Sequence, residues 1–187
     1  MIKAVQNNAG KRLLRIFLLL LSSVLVVAAS ASVLNYLYMQ ASPITTETAK
    51  VQFVLTDDSD EAGASIGTNG TYVSLNSMAG WPNATRVYQA AVGIRNFDSA
   101  SRYITLAFAS WSGDTDQIEF ITVIVRDAVG GTQQGSAINV GTPGSSTGEI
   151  CIPAGATFVV EWNIKWKAGA LSTNTVSVTL QLLVKGE

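Results

Sequence analysis

The chain reads as an all-β protein, a single β-sandwich of jelly-roll or immunoglobulin-like type with about seven to nine strands, placed behind an N-terminal export segment. Three observations predict this. Residues 49–184 hold eight short runs rich in Val, Ile, Thr and aromatic side chains. Clusters of Gly, Asn, Asp and Ser separate those runs. No stretch after residue 45 sustains the 3.6-residue apolar period of a helix. With 187 residues, the chain has room for one such domain and one processing or anchoring segment.

The amino end comes first. Lys3, Lys11, Arg12 and Arg15 precede an apolar run, Ile16 to Val27, and every one of the 13 acidic residues follows it. A basic stretch, an apolar stretch and then Ala29-Ser30-Ala31 form the pattern of a secretory signal cleaved between Ala31 and Ser32. The competing reading is a retained anchor helix, because Val33, Leu34, Leu37 and Met39 prolong the apolar character toward the ~20 residues that span a bilayer. Both readings place the remainder outside the cytoplasm. The expected organisation is a signal peptide or anchor over 1–31, an extended leader over 32–43 and a sandwich over 44–187.

The strands follow in order. They are expected over Ala49 to Thr56, Thr71 to Leu75, Val87 to Phe97, Arg102 to Ser110, Gln117 to Arg126, Ala137 to Val140, Thr157 to Trp166 and Thr175 to Val184. Asn69-Gly70, Asn96-Phe97-Asp98-Ser99 and Gly130-Gly131 are turn chemistry between them. The last strand has the cleanest period: Val176, Val178, Leu180, Leu182 and Val184 on one face, Thr175, Ser177, Thr179 and Gln181 on the other. That alternation demands one buried face. There is no internal repeat.

Little in the sequence supports catalysis, and no enzyme is expected. Histidine is absent, which removes the commonest general base and a common metal ligand. The single cysteine, Cys151, rules out an internal disulfide and a cysteine metal cluster; a buried strand thiol is the expectation, a bridge between subunits the alternative. Asp114, Asp116 and Glu119 read as a solvated hairpin tip. Asp57, Asp58, Asp60 and Glu61 read as a solvated loop that lacks the EF-hand glycine and terminal glutamate. No cofactor or metal is expected. Trp162 and Trp166 share a strand face with Ile164, and Trp111 ends another strand; core or interface packing is the plain reading, sugar stacking the alternative. After residue 15 there are eight basic and thirteen acidic residues, a net charge of −5 without a basic patch, so no nucleic-acid partner is expected. Asn69-Gly70-Thr71 and Asn83-Ala84-Thr85 are N-glycosylation acceptors, which would suit an exported chain.

The leader carries the functional expectation. Ser32 to Ser42 is β-competent and uncharged, and Pro43 sets it off from the domain. A free apolar end of this kind invites pairing with the open sheet edge of another chain. Such a contact joins two different faces of the subunit, does not close, and generates a filament of identical subunits. The donor-strand residues would be Val33, Leu34, Tyr36, Leu37, Tyr38 and Met39. Val33, Asn35, Leu37 and Met39 would share one side, Leu34, Tyr36 and Tyr38 the other.

The leader, the strand-turn-strand Val87 to Leu106, the turn Ile152-Pro153-Ala154-Gly155 and the final strand together resemble the TasA/camelysin-like matrix-fibre family. The likeness is nearest to archaeal filament subunits, the bundling pili and threads. It is a likeness of layout covering most of the chain after residue 31. It implies a glycosylated, extracellular assembly protein polymerised by donor-strand complementation for adhesion or biofilm formation. In that case the membrane matters only during export or through a retained anchor. Two alternatives remain open at this point: a type IV pilin-like subunit that keeps its apolar helix, and an anchored or secreted carbohydrate-binding module using Trp111, Trp162 or Trp166.

Overall fold

The computed structural model describes residues 14, 15, 17–20 and 48–185. Two compact units emerge, residues 1–46 and 47–187. In the first, residues 14, 15 and 17–20 are helical and exposed. Among the described residues no helix is long and apolar enough to cross a membrane. The Ala31–Ser32 cleavage site and the donor residues Val33, Leu34, Tyr36, Leu37, Tyr38 and Met39 lie outside the described residues, as does most of the apolar run.

The second unit is all-β, with ten strands among the described residues. They are β1 (Val51–Val54), β2 (Ala64–Ile66), β3 (Val73–Leu75), β4 (Thr85–Asn96), β5 (Arg102–Gly113), β6 (Ile118–Arg126), β7 (Gln133–Asn139), β8 (Ile150–Ile152), β9 (Thr157–Trp166) and β10 (Val176–Val184). The larger sheet runs β1-β4-β9-β6-β7, the smaller β10-β5-β8, and β2 and β3 form a separate pair. All registered pairs are antiparallel. Inward side chains of the two main sheets meet in one core, including Ile94, Val123, Val125 and Val160 from the larger sheet and Ile104, Leu106, Ile150 and Ile152 from the smaller.

The eight expected strands are present, with differences at their edges. Strand β7 starts at Gln133, four residues ahead of the expected Ala137. Gln133 and Gln134 have weak strand character, but the turn at Gly130-Gly131 aligns them opposite Arg126 and Val125. Strands β2 and β8, of three residues each, were not expected. In β8 the alternation reverses the expectation for Cys151: Ile150 and Ile152 are buried and Cys151 is exposed. The thiol stands on the outer pleat, opposite Tyr103 of β5.

The acidic cluster is also corrected. Asp57, Asp60 and Glu61 are exposed, as expected, but the segment is not a plain loop: Ser59–Ala62 form one helical turn packed on an irregularity in β4 between Tyr88 and Val92. Asp58 Oδ2 accepts from the Ala90 amide at 3.0 Å, and the Thr56 and Ser59 hydroxyls donate to the Ala90 and Ala91 carbonyls. Glu61 pairs with Arg86. These residues satisfy the backbone groups that the bulge leaves without ladder partners. Asp114, expected at a solvated tip, accepts from the Thr175 amide at 2.8 Å and ties the start of β10 to the end of β5. Glu119 pairs with Lys165 at 3.0 Å.

Candidate functional site

A sandwich of five strands facing three leaves part of the larger sheet without a lid. Strand β10 is the last strand of the smaller sheet and pairs on one side only, with β5. Strand β3 is likewise the last of its pair. Between them runs a groove of about 780 Å³. Its floor is the inner face of β9, namely Val160, Trp162, Ile164 and Trp166, with Val92 of β4 and Ile121 of β6 beside it. One wall is β10 from Val176 to Leu182; the other is Thr71 to Asn76 with Met78 to Gly80.

Burial falls off at this groove. In the same sheet, Ile104 and Leu106 of β5 and Ile150 and Ile152 of β8 are buried. The inward residues of β10, Val176, Val178, Leu180 and Leu182, are only half-buried, and Val184 is 45 % exposed. The period of β10 asks for a buried face, and the described residues cover half of it. No groove-lining side chain carries a charge.

The tryptophans belong to this floor. Trp162 is 8 % exposed, Trp166 half-buried. The Trp162 Nε1 is buried without a hydrogen-bond partner, and it is the one such side-chain atom among the described residues. A buried indole N–H normally finds an acceptor. Trp111 is half-buried, edge-on to Phe108 at 6.5 Å and packed where a side chain on Gly141 would collide. Trp162 is buried, whereas Trp111 and Trp166 are partly exposed, Trp166 in the groove floor. The exposed tryptophan is Trp81, at 55 %, with the Arg86 guanidinium 5.3 Å from its ring centre.

Both glycosylation acceptors are exposed and in turns. Asn83 adopts φ +58°, a left-handed turn conformation that Asn tolerates, and its amide donates to the Trp166 carbonyl at 3.0 Å. Asn69 precedes Gly70, whose carbonyl accepts from the Phe53 amide at 2.7 Å. Both turns therefore adjoin the groove, one beside Trp166 and one beside Phe53 and Thr71.

Sequence reasoning expected the strand that became β3 but not its place opposite β10, and it missed the Met78–Gly80 segment and the role of Phe53 in the groove. These are short irregular pieces with no period, and only the strand order brings them opposite β10. Among the described residues no group of three or more Asp, Glu or Cys side chains is placed to hold a metal ion. No protein-family model matches the chain, and no curated protein is similar to it.

Proposed function

We propose that the chain is the structural subunit of an extracellular filament, a pilus, thread or biofilm-matrix fibre, in which the leader of one subunit completes the sandwich of its neighbour. The observation that supports it is the half-buried inner face of β10 beside an open edge. A strand laid between β10 and β3 would order the smaller layer as β8-β5-β10-leader-β3-β2. It would cover the floor and pair two free edges at once.

The energetic logic is that of a domain missing one strand. Completing the burial of four half-covered side chains contributes about 1 kcal/mol each, and each new ladder bond adds roughly 0.5–1.5 kcal/mol net. Ordering the leader offsets much of this gain. The balance favours assembly because the acceptor is already built. The partners are identical subunits, with N-linked glycans at Asn69 and Asn83 and a non-catalytic role at the cell surface.

The test is the amino-terminal sequence of the protein isolated from its native surface, with electron microscopy of the same material. A start near Ser32 and a fibrous specimen support the proposal. A chain still carrying residues 16–27 would overturn it in favour of a pilin-like or anchored subunit. Deleting residues 32–41 is expected to abolish fibres while leaving a soluble domain.

A further inference from the structure

We propose that the sugar carried by Asn83 folds back onto the exposed face of Trp81, which makes Trp81 its platform and this glycan a fixed part of the protein surface. This rests on the reading of an exported, glycosylated chain and adds to it the side chain that receives the sugar.

The starting point is a coincidence of exposure and sequence. A single exposed apolar side chain is ordinary on a protein surface. Here Tyr72 is 66 % exposed and Trp81 55 %, the two most exposed aromatic side chains of the β unit among the described residues. Each stands beside an acceptor, Tyr72 three residues after Asn69 and Trp81 two residues before Asn83.

The Trp81 ring is held from behind. The Arg86 guanidinium lies 5.3 Å from its centre and 4.7 Å from that of Tyr88. Tyr88 is buried in the core, and its hydroxyl accepts from the Ala79 amide at 2.9 Å. Glu61 pairs with Arg86, whose side chain is only 20 % exposed. A cation over a ring is attracted to the negative π-face and steadies it. Because Arg86 is itself mostly buried, it covers the inner face of the indole. The exposure of Trp81 therefore belongs to the outer face.

The turn brings the anchor to the same place. Trp81-Pro82-Asn83-Ala84 closes with the Ala84 amide donating to the Trp81 carbonyl at 3.5 Å. Proline in second place and a positive φ in third, +58° at Asn83, are type II turn chemistry. The Asn83 amide donates to the Trp166 carbonyl at 3.0 Å, and the Trp166 amide to the Trp81 carbonyl at 3.4 Å. Both residues are thus pinned to the end of β9. Two residues apart, their Cα atoms are at most ~7 Å from each other. A sugar on Asn83 is therefore tethered beside the indole at high effective concentration. Its chemistry suits the ring. One face of a hexopyranose is lined by C–H groups, apolar and partially positive, and the indole face is apolar and partially negative. In the transfer, Asn83 Nδ2 bonds to C1 of the first sugar and loses a proton, while C1 parts from the diphosphate of a lipid-linked oligosaccharide donor.

The test uses the full chain secreted from a eukaryotic host that adds N-acetylglucosamine-linked glycans, beside its Thr85→Val variant. That variant removes the acceptor hydroxyl and keeps Asn83 in its turn. Peptide mass analysis reads occupancy, and hydroxyl-radical footprinting reads the reactivity of each aromatic side chain. With Asn83 occupied, Trp81 oxidation is expected to fall about threefold relative to Thr85→Val, with Phe97 and Tyr103 unchanged. Equal Trp81 oxidation in the two chains would overturn the stacking, and a secreted chain with Asn83 bare would overturn the site. Both results leave export intact, whereas a chain that is not secreted would sink the export reading itself. Trp81→Ala separates a sugar platform from a packing residue. It is expected to lower the melting temperature by about 2–4 °C more in the glycosylated chain than in the Thr85→Val background. Equal losses would overturn the platform.

Discussion

Asn96 shows how one polar side chain can hold a corner of the sandwich. It is fully buried at the end of β4, and its amide donates to the carbonyls of Ala100, Ile152 and Pro153 at 2.8–3.2 Å while its oxygen accepts from the Asp98 amide. Asn96→Ala would leave several of these groups without partners, and we expect a loss of roughly 3 kcal/mol in chemical denaturation. Next to it Asp98 accepts from Arg102 and from the Ser99 amide, and these bonds hold its carboxyl below its ordinary 3.8. On the larger sheet, burial pushes the Glu161 carboxyl up. The bonds from Arg126 at 2.6 Å and Asn163 at 2.9 Å outweigh it, so the net shift is below the ordinary 4.5. Both folded values are depressed, so both contributions are complete above the ordinary values and vanish as pH falls through the folded ones. Stability should decline on acidification below those ordinary values. Glu161→Gln should flatten that decline, read as the denaturation midpoint against pH.

At the level of elements, β10 is less buried on its inner face than β5 beside it. Leu106 of β5 is buried and Leu180 of β10 half-buried in the same sheet. Leu106→Ala should cost about 2–5 kcal/mol in any state of the protein. Leu180→Ala should cost about 1 kcal/mol in the domain lacking residues 32–41 and approach the Leu106→Ala loss in the fibre. Equal losses in both states would show that the groove stays open. The irregularity in β4 illustrates a limit of sequence reading. Asp57 to Glu61 is charged enough to suggest a loop, yet within it Asp58 and Ser59 bond to Ala90 and Ala91, 32 residues away in the chain. Nothing local in the sequence announces a partner at that distance.

For the whole molecule, polymerisation and folding are coupled in the proposed reading. The domain without residues 32–41 should melt below the assembled fibre, and equal melting temperatures would count against complementation. Since neither groove nor leader carries charge, the guanidinium resistance of the fibre should change little when sodium chloride is raised to about 1 M, which screens surface ion pairs. A strong salt dependence would point to an assembly surface elsewhere.

The all-β class, eight of the ten described strands, the main turns and the amphipathic face of β10 are determined by the sequence alone. They rest on period-two patterning and turn chemistry, which are local properties. Three features were decided by tertiary structure: the exposure of Cys151, the packing of the Asp58 turn on β4, and the groove between β3 and β10. Each depends on which strands become neighbours, and strand order is set by contacts between residues far apart in the chain. The alternation of Val176, Val178, Leu180 and Leu182 states that the face must be covered. Only the order β10-β5-β8 against a five-stranded partner shows that this face is left partly uncovered among the described residues.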